Sequence, residues 1–459
     1  MDSVTVVILA AGLGTRMRSR RAKVLHRAGG LTLIEHVVNT AAALTPEENI
    51  VIVVGHQAEQ VRAALAHRRV RFVEQTEQKG TGHAVMLCKT AIDPSGVVAI
   101  LYGDCPLLSV ATLRSLIDKQ RDSDASATLI TTTLDDPTGY GRIILDDYGF
   151  VRSIVEQKAA NPEQLEVHVI NSGMYCFRAD LLRRHIGEIR PDNPAREYYL
   201  TDIVEILNRA GHKVAPLEIA DSTELLGINT RIELAAADRI FRDRKTGELM
   251  LSGVTIEKPE TVTIDAQVEI GMDTVVQPFA RILGNTRIGE DCTVGACSVI
   301  DNCVIADRVA IAPFTMAAHS RIDADASIGP FARLRLDNEV GAGAHIGNFV
   351  ELKKTRMGPG AKANHLAYLG DSEIGEKSNI GAGTITCNYD GANKHQTNIG
   401  RGAFIGSNST LVAPIEIGDR AYIAAGSVIT DPVPADALAL GRSRQVNKEG
   451  WAKRRKARP

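Results

Sequence analysis

Near its N-terminus the chain reads Leu9-Ala10-Ala11-Gly12-Leu13-Gly14-Thr15-Arg16-Met17, with Lys23 a few residues on. Glycines in such a loop let backbone N–H groups approach phosphate oxygens, while Arg16 and Lys23 supply the positive charge that a triphosphate requires. A Gly-x-Gly loop by itself fits a plain tight turn equally well. Asp104 comes just after the apolar run from Val97 to Leu101, so its carboxylate stands at a strand end, where it can cap the chain or face a cleft. Seven cysteines, an odd number without a CxxC pair, fit free thiols better than a disulfide framework or a zinc site.

The elements that must hold these groups change character along the chain. In the front half the runs from Val4 to Leu9, Ile50 to Val54, Val97 to Tyr102 and Ala127 to Thr133 read as buried strands, separated by helix-like stretches such as Leu33 to Ala43 and Ala58 to Ala66. That alternation predicts βαβ units and a mainly parallel sheet, whose ligands sit beyond the carboxyl ends of the strands, where the first loop lies. A helix is predicted from about Leu234 to Met250. Beyond about residue 250 a six-residue step takes over: Ile399, Ile405, Leu411, Ile417, Ile423 and Ile429 keep it, with Gly400, Gly406 and Gly418 following three of them. Ile288, Val294 and Ile300 keep the same step, as do Val340 with Ile346 and Ile374 with Ile380. One inward aliphatic residue per short strand, followed by a sharp turn, describes a β-solenoid and leaves its handedness and activity open.

The 459 residues exceed what one core usually serves, so we assign a front domain over 1–231, a helical linker over 232–252 and a repeat domain with its tail over 253–459. No run of about eighteen apolar residues suggests a membrane span. The segment from Met1 to Leu9 has no basic leader and passes into a strand, which predicts a cytoplasmic protein. A formal net charge of −2 exerts no overall pull on nucleic acid, and the short basic tail from Lys453 to Arg458 reads as solvated.

The string from Leu9 to Lys23 resembles the signature of sugar-1-phosphate nucleotidyltransferases, with Ala22 standing where that family commonly has proline. The resemblance implies a Rossmann-like α/β domain that binds UTP and a sugar phosphate. Leu9, Ala10, Ala11, Gly12, Gln75, Gly80, Thr81, Tyr102 and Gly103 match its nucleotide-contacting positions, and Gly141, Glu156 and Asn171 match those that hold the hexose. Asp104 and Asn229 match its two ligands for Mg2+, a carboxylate and an amide oxygen that suit a hard octahedral ion, although Mn2+ fits such a site too.

The back half is similar to the left-handed parallel β-helices of hexapeptide acyltransferases, which typically trimerise. The string from Asn364 to Asp371, which reads as an interruption of the repeat, and the string from Asn379 to Gly391 look like those of the glucosamine-1-phosphate acetyltransferase domain. That resemblance makes His365 the candidate base, since a sugar ammonium must lose a proton before it attacks and an imidazole titrates near ~6.5. His319, His345 and His395 lack matching surroundings. By the same resemblance Arg335, Lys353, Tyr368 and Asn379 grip the sugar phosphate, although Leu336-Asp337-Asn338 replaces the usual continuation after the arginine. Ala382, Asn388, Tyr389, Ser407, Ala425 and Arg442 match the acetyl-CoA positions, and the tail around Lys448 to Trp451 covers a neighbour's coenzyme site in a trimer.

Together the strings occur in the order of the bifunctional family that makes UDP-N-acetylglucosamine, a product tied to peptidoglycan and lipopolysaccharide precursors. Two other readings follow from the same residues: a sugar nucleotidyltransferase with an inert β-helix, and a regulatory subunit with decayed sites. The first would lack a base and anion grip around His365, and the second would have lost Lys23, Asp104 or His365.

Overall fold

All six residues of β1 (Val4–Leu9) are buried, as are the five of β2 (Ile50–Val54). A strand covered on both faces belongs in the interior of a parallel sheet flanked by helices. The sheet is completed by β3 (Arg71–Glu74), β4 (Val97–Tyr102), β5 (Ala127–Thr133), β6 (Arg142–Leu145), β7 (Val151–Val155), β8 (Val169–Arg178) and β9 (Val214–Glu218). Its order is β9-β5-β8-β4-β1-β2-β3, with β6 paired to β8 and to β7. Neighbours are parallel except for β8, which runs antiparallel between β4 and β5, and for the β6–β7 hairpin beside it.

In this computed structural model residues 3–193 and 195–456 are described. Met1 and Asp2 of the N-terminal segment, and Ala457 and Arg458 of the basic tail, lie outside them. The chain divides into two compact units, 1–241 and 242–459.

Alternate residues of β1 serve two cores in the front unit. Val6 and Ile8 pack with α1 (Leu33–Ala42), α2 (Ala58–Ala64) and α4 (Val110–Asp122), while Val7 and Leu9 pack with α3 (Thr81–Leu87), α5 (Ala179–His185) and α6 (Ile203–Arg209). Helix α1 starts on a capping box, with the Glu35 N–H donating to Thr32 Oγ1 at 3.3 Å and the Thr32 N–H to Glu35 Oε2 at 2.8 Å. The first half of α7 (Arg231–Leu251) holds the chain that follows Lys23: the Gly29 N–H donates to Asp238 Oδ1 at 2.8 Å, and Phe241 stacks on His36 at 3.8 Å. The segment that follows the first loop is thus braced from behind.

The back unit is a left-handed parallel β-helix. One ladder stacks eleven short strands, from Thr255–Ile256 to Leu438–Ala439. The other two faces merge into one sheet of seventeen strands, because Glu351–Met357 and Tyr368–Ile374 run unbroken round a corner. Every aliphatic residue of the six-residue step points inward and is buried, Ile399 to Ile429 included. The step is not uniform: Ile300 with Ile305, and Leu352 with Met357, are closer together and all four are buried, so a coil can lose a corner residue without turning an aliphatic group outward.

One expectation is corrected. The string from Asn364 to Asp371 does not interrupt the repeat, because Lys362–His365 and Tyr368–Ile374 stay paired in the ladders and Ala363, Leu369 and Ile374 fill the interior. The real insertion is the hairpin from Asn388 to His395, where Tyr389 bridges Lys394 and the His395 N–H donates to the Asn388 carbonyl at 2.8 Å.

Leu411 sits wholly inside a coil. Leu411→Ala is expected to cost about 2–5 kcal/mol, read as a lowered urea midpoint for the back unit with the front unit's transition unmoved.

Candidate active sites

Beyond the carboxyl ends of β1 and β4 the front unit opens into a cavity of about 590 Å3. Leu9, Ala10, Ala11, Gly12, Lys23, Gln75, Gly80, Thr81, Tyr102, Asp104, Glu156 and Asn171 all line it. Gly103 lies behind them, its N–H bonded to the Leu9 carbonyl at 3.0 Å, and Gly141 accepts from the Asn171 N–H at 2.9 Å. The buried Gln75 is held by bonds from Nε2 to the Gly80 carbonyl at 3.1 Å and to His83 Nδ1 at 3.0 Å.

At the cavity floor the Lys23 ammonium contacts Asp104 Oδ2 and also donates to Asn229 Oδ1 at 3.1 Å. Arg16 Nη2 reaches the same amide oxygen at 2.8 Å. Backbone geometry brings these distant residues together. The Ile228 N–H donates to the Asp104 carbonyl at 2.8 Å, and the N–H groups of Asn229 and Thr230 both donate to Glu233 at the start of α7, at 2.6 and 2.7 Å. Gly14 holds φ at +62°, and a Cβ there would stand 2.8 Å from Lys23 Cβ, so the lysine lies where it does because the loop has no side chain at that point.

An ammonium touching both oxygens shows that Asp104 and Asn229 converge on one positive centre. Two hard oxygen donors, with the rest supplied by phosphate and water, fit Mg2+. Among the described residues no cluster of three His, Cys, Asp or Glu side chains offers a fuller cage.

The far end of the cavity is acidic. Burial pushes the Glu156 carboxyl up. Asn171 Oδ1 accepts from the Gly173 N–H at 3.0 Å and from the Tyr175 hydroxyl at 3.1 Å, which fixes the amide. Glu197, Tyr199 and Thr201 also line this end. Sequence reasoning missed them, since the run from Glu197 to Asp202 has no periodicity or motif to single it out.

On the β-helix, His365 is exposed at the end of its strand and its Nδ1 lies 2.9 Å from Asn348 Oδ1. Asn348, His365, Ala382, Ser407 and Ala425 each precede a corner residue with positive φ, namely Phe349, Leu366, Gly383, Asn408 and Gly426. They form one column along an edge. Bonds from the Leu366, Asn408 and Gly426 N–H groups to the carbonyls of Asn348, Ala382 and Ser407, at 3.0, 2.7 and 2.8 Å, tie its levels together. Arg442 reaches the same edge beside Gly426. Four of the six residues matched to acetyl-CoA therefore run along the edge from His365.

Asn388 stands elsewhere, with Tyr389 in the inserted hairpin. Its amide meets Asp371, which also pairs with Lys353 at 2.9 Å. Gly370 lets this cluster form: a Cβ there would come within 2.6 Å of the Tyr368 hydroxyl and 2.8 Å of Asn388 Nδ2. Against the desolvation that burial imposes, Asp371 holds the Lys353 ammonium above the ordinary lysine range. Lys394, from the hairpin, is pulled down by the Lys353 ammonium beside it. Sequence reasoning passed over Lys394; the break in the six-residue step between Thr386 and Ile399 was the available sign. Arg335 pairs with Glu351 at 3.1 Å. The unusual Asn338 is buried and bonds across coils to Ser320 Oγ at 3.2 Å and from Thr355 N–H at 3.1 Å, so it belongs to the interior ladder. Asn379 lies apart, on the ladder that carries His365.

Comparison with known proteins accords with this division. Residues 6–194 match the MobA-like NTP transferase domain, and 267–302 and 396–431 match the bacterial transferase hexapeptide (six repeats). The chain is 60% identical over 454 residues to a protein of Solibacter usitatus called "Bifunctional protein GlmU", covering 99% of this chain and 97% of that one. The chain belongs to the GlmU family. GlmU proteins of Koribacter versatilis and Trichlorobacter lovleyi are 49% and 47% identical, covering 98% and 97% of this chain and 97% of each relative. Like other members of the GlmU family it is a transferase with two activities, nucleotidyl transfer in the front unit and acyl transfer in the back.

Half-buried Asp202, at the start of α6, is pushed up to about 6 by burial and by the nearby carboxylates of Glu205 and Glu156. Folding thus raises its proton affinity, so its stabilising contribution is complete below the ordinary aspartate pKa of about 3.9 and is lost as pH rises through about 6. Asp202→Asn is expected to raise the melting temperature of the front unit more at pH 7.5 than at pH 5, as measured by calorimetry.

Proposed function

We propose that the back unit transfers acetyl from acetyl-CoA to the amine of glucosamine 1-phosphate, and that the front unit joins the product to UMP from UTP, giving UDP-N-acetylglucosamine and pyrophosphate. One observation carries the reading: each unit holds its own set of cations for an anionic substrate, Arg16 with Lys23 in the front unit and Arg335, Lys353 and Lys394 in the back.

In the front unit a phosphate oxygen of the sugar 1-phosphate attacks the α-phosphorus of UTP in line, and the bond to the pyrophosphate oxygen breaks. No protein nucleophile is needed. Arg16 and Lys23 neutralise the charge that builds on the phosphates, and the Leu9–Gly12 backbone with Gln75 and Gly80 positions the nucleotide. Asp104 and Asn229 would hold Mg2+, which when bound supplies a Lewis acid to the phosphate oxygens. Glu156 and Asn171 orient the hexose.

In the back unit His365 takes the proton of the sugar ammonium at Nε2. The freed amine attacks the thioester carbonyl, and the carbon–sulfur bond breaks to release coenzyme A as its thiol. Arg335, Lys353 and Tyr368 grip the phosphate, while the small side chains of Ala382, Ser407 and Ala425 leave a channel for the pantetheine arm.

The working unit is a homotrimer in the cytoplasm. Phe279, Phe314, Phe331 and Phe349 are exposed along one β-helix edge, and Phe331 stacks on Phe314 at 4.9 Å and on Phe349 at 5.3 Å. Each also has positive φ, a strained corner for a bulky residue, which favours packing against other copies. The free cysteines suit a reducing compartment, and among the described residues no helix is long and apolar enough to cross a membrane.

Protein incubated with acetyl-CoA, glucosamine 1-phosphate, UTP and Mg2+ should release thiol first and pyrophosphate after it. Asp104→Ala should lower uridylyl transfer by about 100-fold or more and spare acetyl transfer, and His365→Ala should do the reverse. Loss of both activities in either variant would overturn the two-site reading. Phe331→Asp should shift the species seen by sedimentation from trimer towards monomer.

A further inference from the structure

We propose that Asn348 is a positioning residue for His365: it fixes the imidazole in the tautomer that carries its proton on Nδ1 and so presents the Nε2 lone pair to the sugar ammonium. The proposal rests on the reading of His365 as the base.

The two residues occupy the same level of successive coils, and their backbones pair in the eleven-stranded ladder. The Leu366 N–H donates to the Asn348 carbonyl at 3.0 Å, so the corner that follows the histidine is tied to the asparagine's own backbone. Asn348 Oδ1 lies 2.9 Å from His365 Nδ1. An amide oxygen offers lone pairs only, so Nδ1 must bear the hydrogen and Nε2 is left to accept. The ring is exposed, and the next residue of its column is Ala382, which is too short to wedge it. An imidazole on an open edge samples several rotamers unless something anchors it.

Asparagine also suits the proton balance better than aspartate would. When Nε2 takes the proton, the imidazolium keeps its Nδ1–H on the amide oxygen, so the same contact serves both charge states. A carboxylate at that distance would favour the imidazolium before substrate arrives and leave the base occupied at neutral pH. With the amide turned the other way, Nδ2 would donate to Nδ1 and the proton would sit on Nε2, facing the substrate with no lone pair. The two orientations predict different outcomes for an aspartate, which can only accept.

The test measures acetyl transfer and uridylyl transfer across pH for the full chain and for Asn348→Leu, Asn348→Asp and His365→Ala. Asn348→Leu is expected to lower kcat for acetyl transfer by about ten-fold or more, with uridylyl transfer and the KM for acetyl-CoA unchanged. Asn348→Asp is expected to keep its activity at high pH while the acid limb of kcat/KM moves up by about one pH unit. Acetyl transfer in Asn348→Leu within about two-fold of the parent, or an unmoved acid limb in Asn348→Asp, would overturn the positioning role. If Asn348→Leu does not fold, the acid limb of Asn348→Asp decides alone. Acetyl transfer surviving in His365→Ala would instead remove the base reading beneath it, whereas an inactive His365→Ala beside a normal Asn348→Leu would remove the positioning role only.

Discussion

In-register stacking of one coil on the next is the constraint on which the back unit depends. Each coil buries its aliphatic residues and hands its backbone N–H and C=O groups to the coils on either side. The interior polar groups obey the same rule: Asn338 bridges Ser320 and Thr355, and Thr355 Oγ1 reaches the Leu369 carbonyl at 2.8 Å. Residues one turn apart in sequence therefore become neighbours. The column from Asn348 to Ala425 exists because nothing in the ladder slips. The inserted hairpin respects this too, leaving and rejoining the same sheet, and its lysine reaches the Lys353–Asp371 pair without disturbing the register.

The front unit solves a different problem. Its cations and its metal-type oxygens come from the first loop, from the end of β4 and from the segment before α7, far apart in the chain. What gathers them is backbone hydrogen bonding around Asp104 and the capping of α7 by Glu233. Lys23 then lies against Asp104 and Asn229, its ammonium shared between a carboxylate and an amide oxygen.

Much of this was legible in the sequence where a pattern repeats or a string is compact. The buried runs of β1 and β2, the helical stretch of α1 and the six-residue step all announce themselves locally, and they settle both architectures. The loop from Leu9 to Lys23 is legible because its glycines and cations are contiguous. What stayed hidden depends on register or on side-chain reach. Asn348 gains its meaning only once the corner residues are counted and His365 falls beside it. Lys394 is one lysine in a polar hairpin until the fold brings it to Lys353. The string from Asn364 to Asp371 looked like a break because its polar residues face outward, while Ala363 and Leu369, which keep the interior filled, are inconspicuous.

The left-handed corners have a consequence for how this domain can vary in length. Along one edge the corner residues change from phenylalanine, interrupted once by Cys297, to the small or polar Gly383, Asn408 and Gly426, with Leu366 between the two stretches. Position along that edge is measured in coils, and each coil contributes one corner. Adding or removing a whole coil among the aromatic levels would lengthen or shorten the rod and leave the histidine facing the same way. Adding a single residue within a strand would rotate every later level out of phase with the edge. The β-helix can therefore grow or shrink by turns, and smaller changes are absorbed at a corner, as between Ile300 and Ile305, or, as in the hairpin from Asn388 to His395, by chain that leaves the coil altogether.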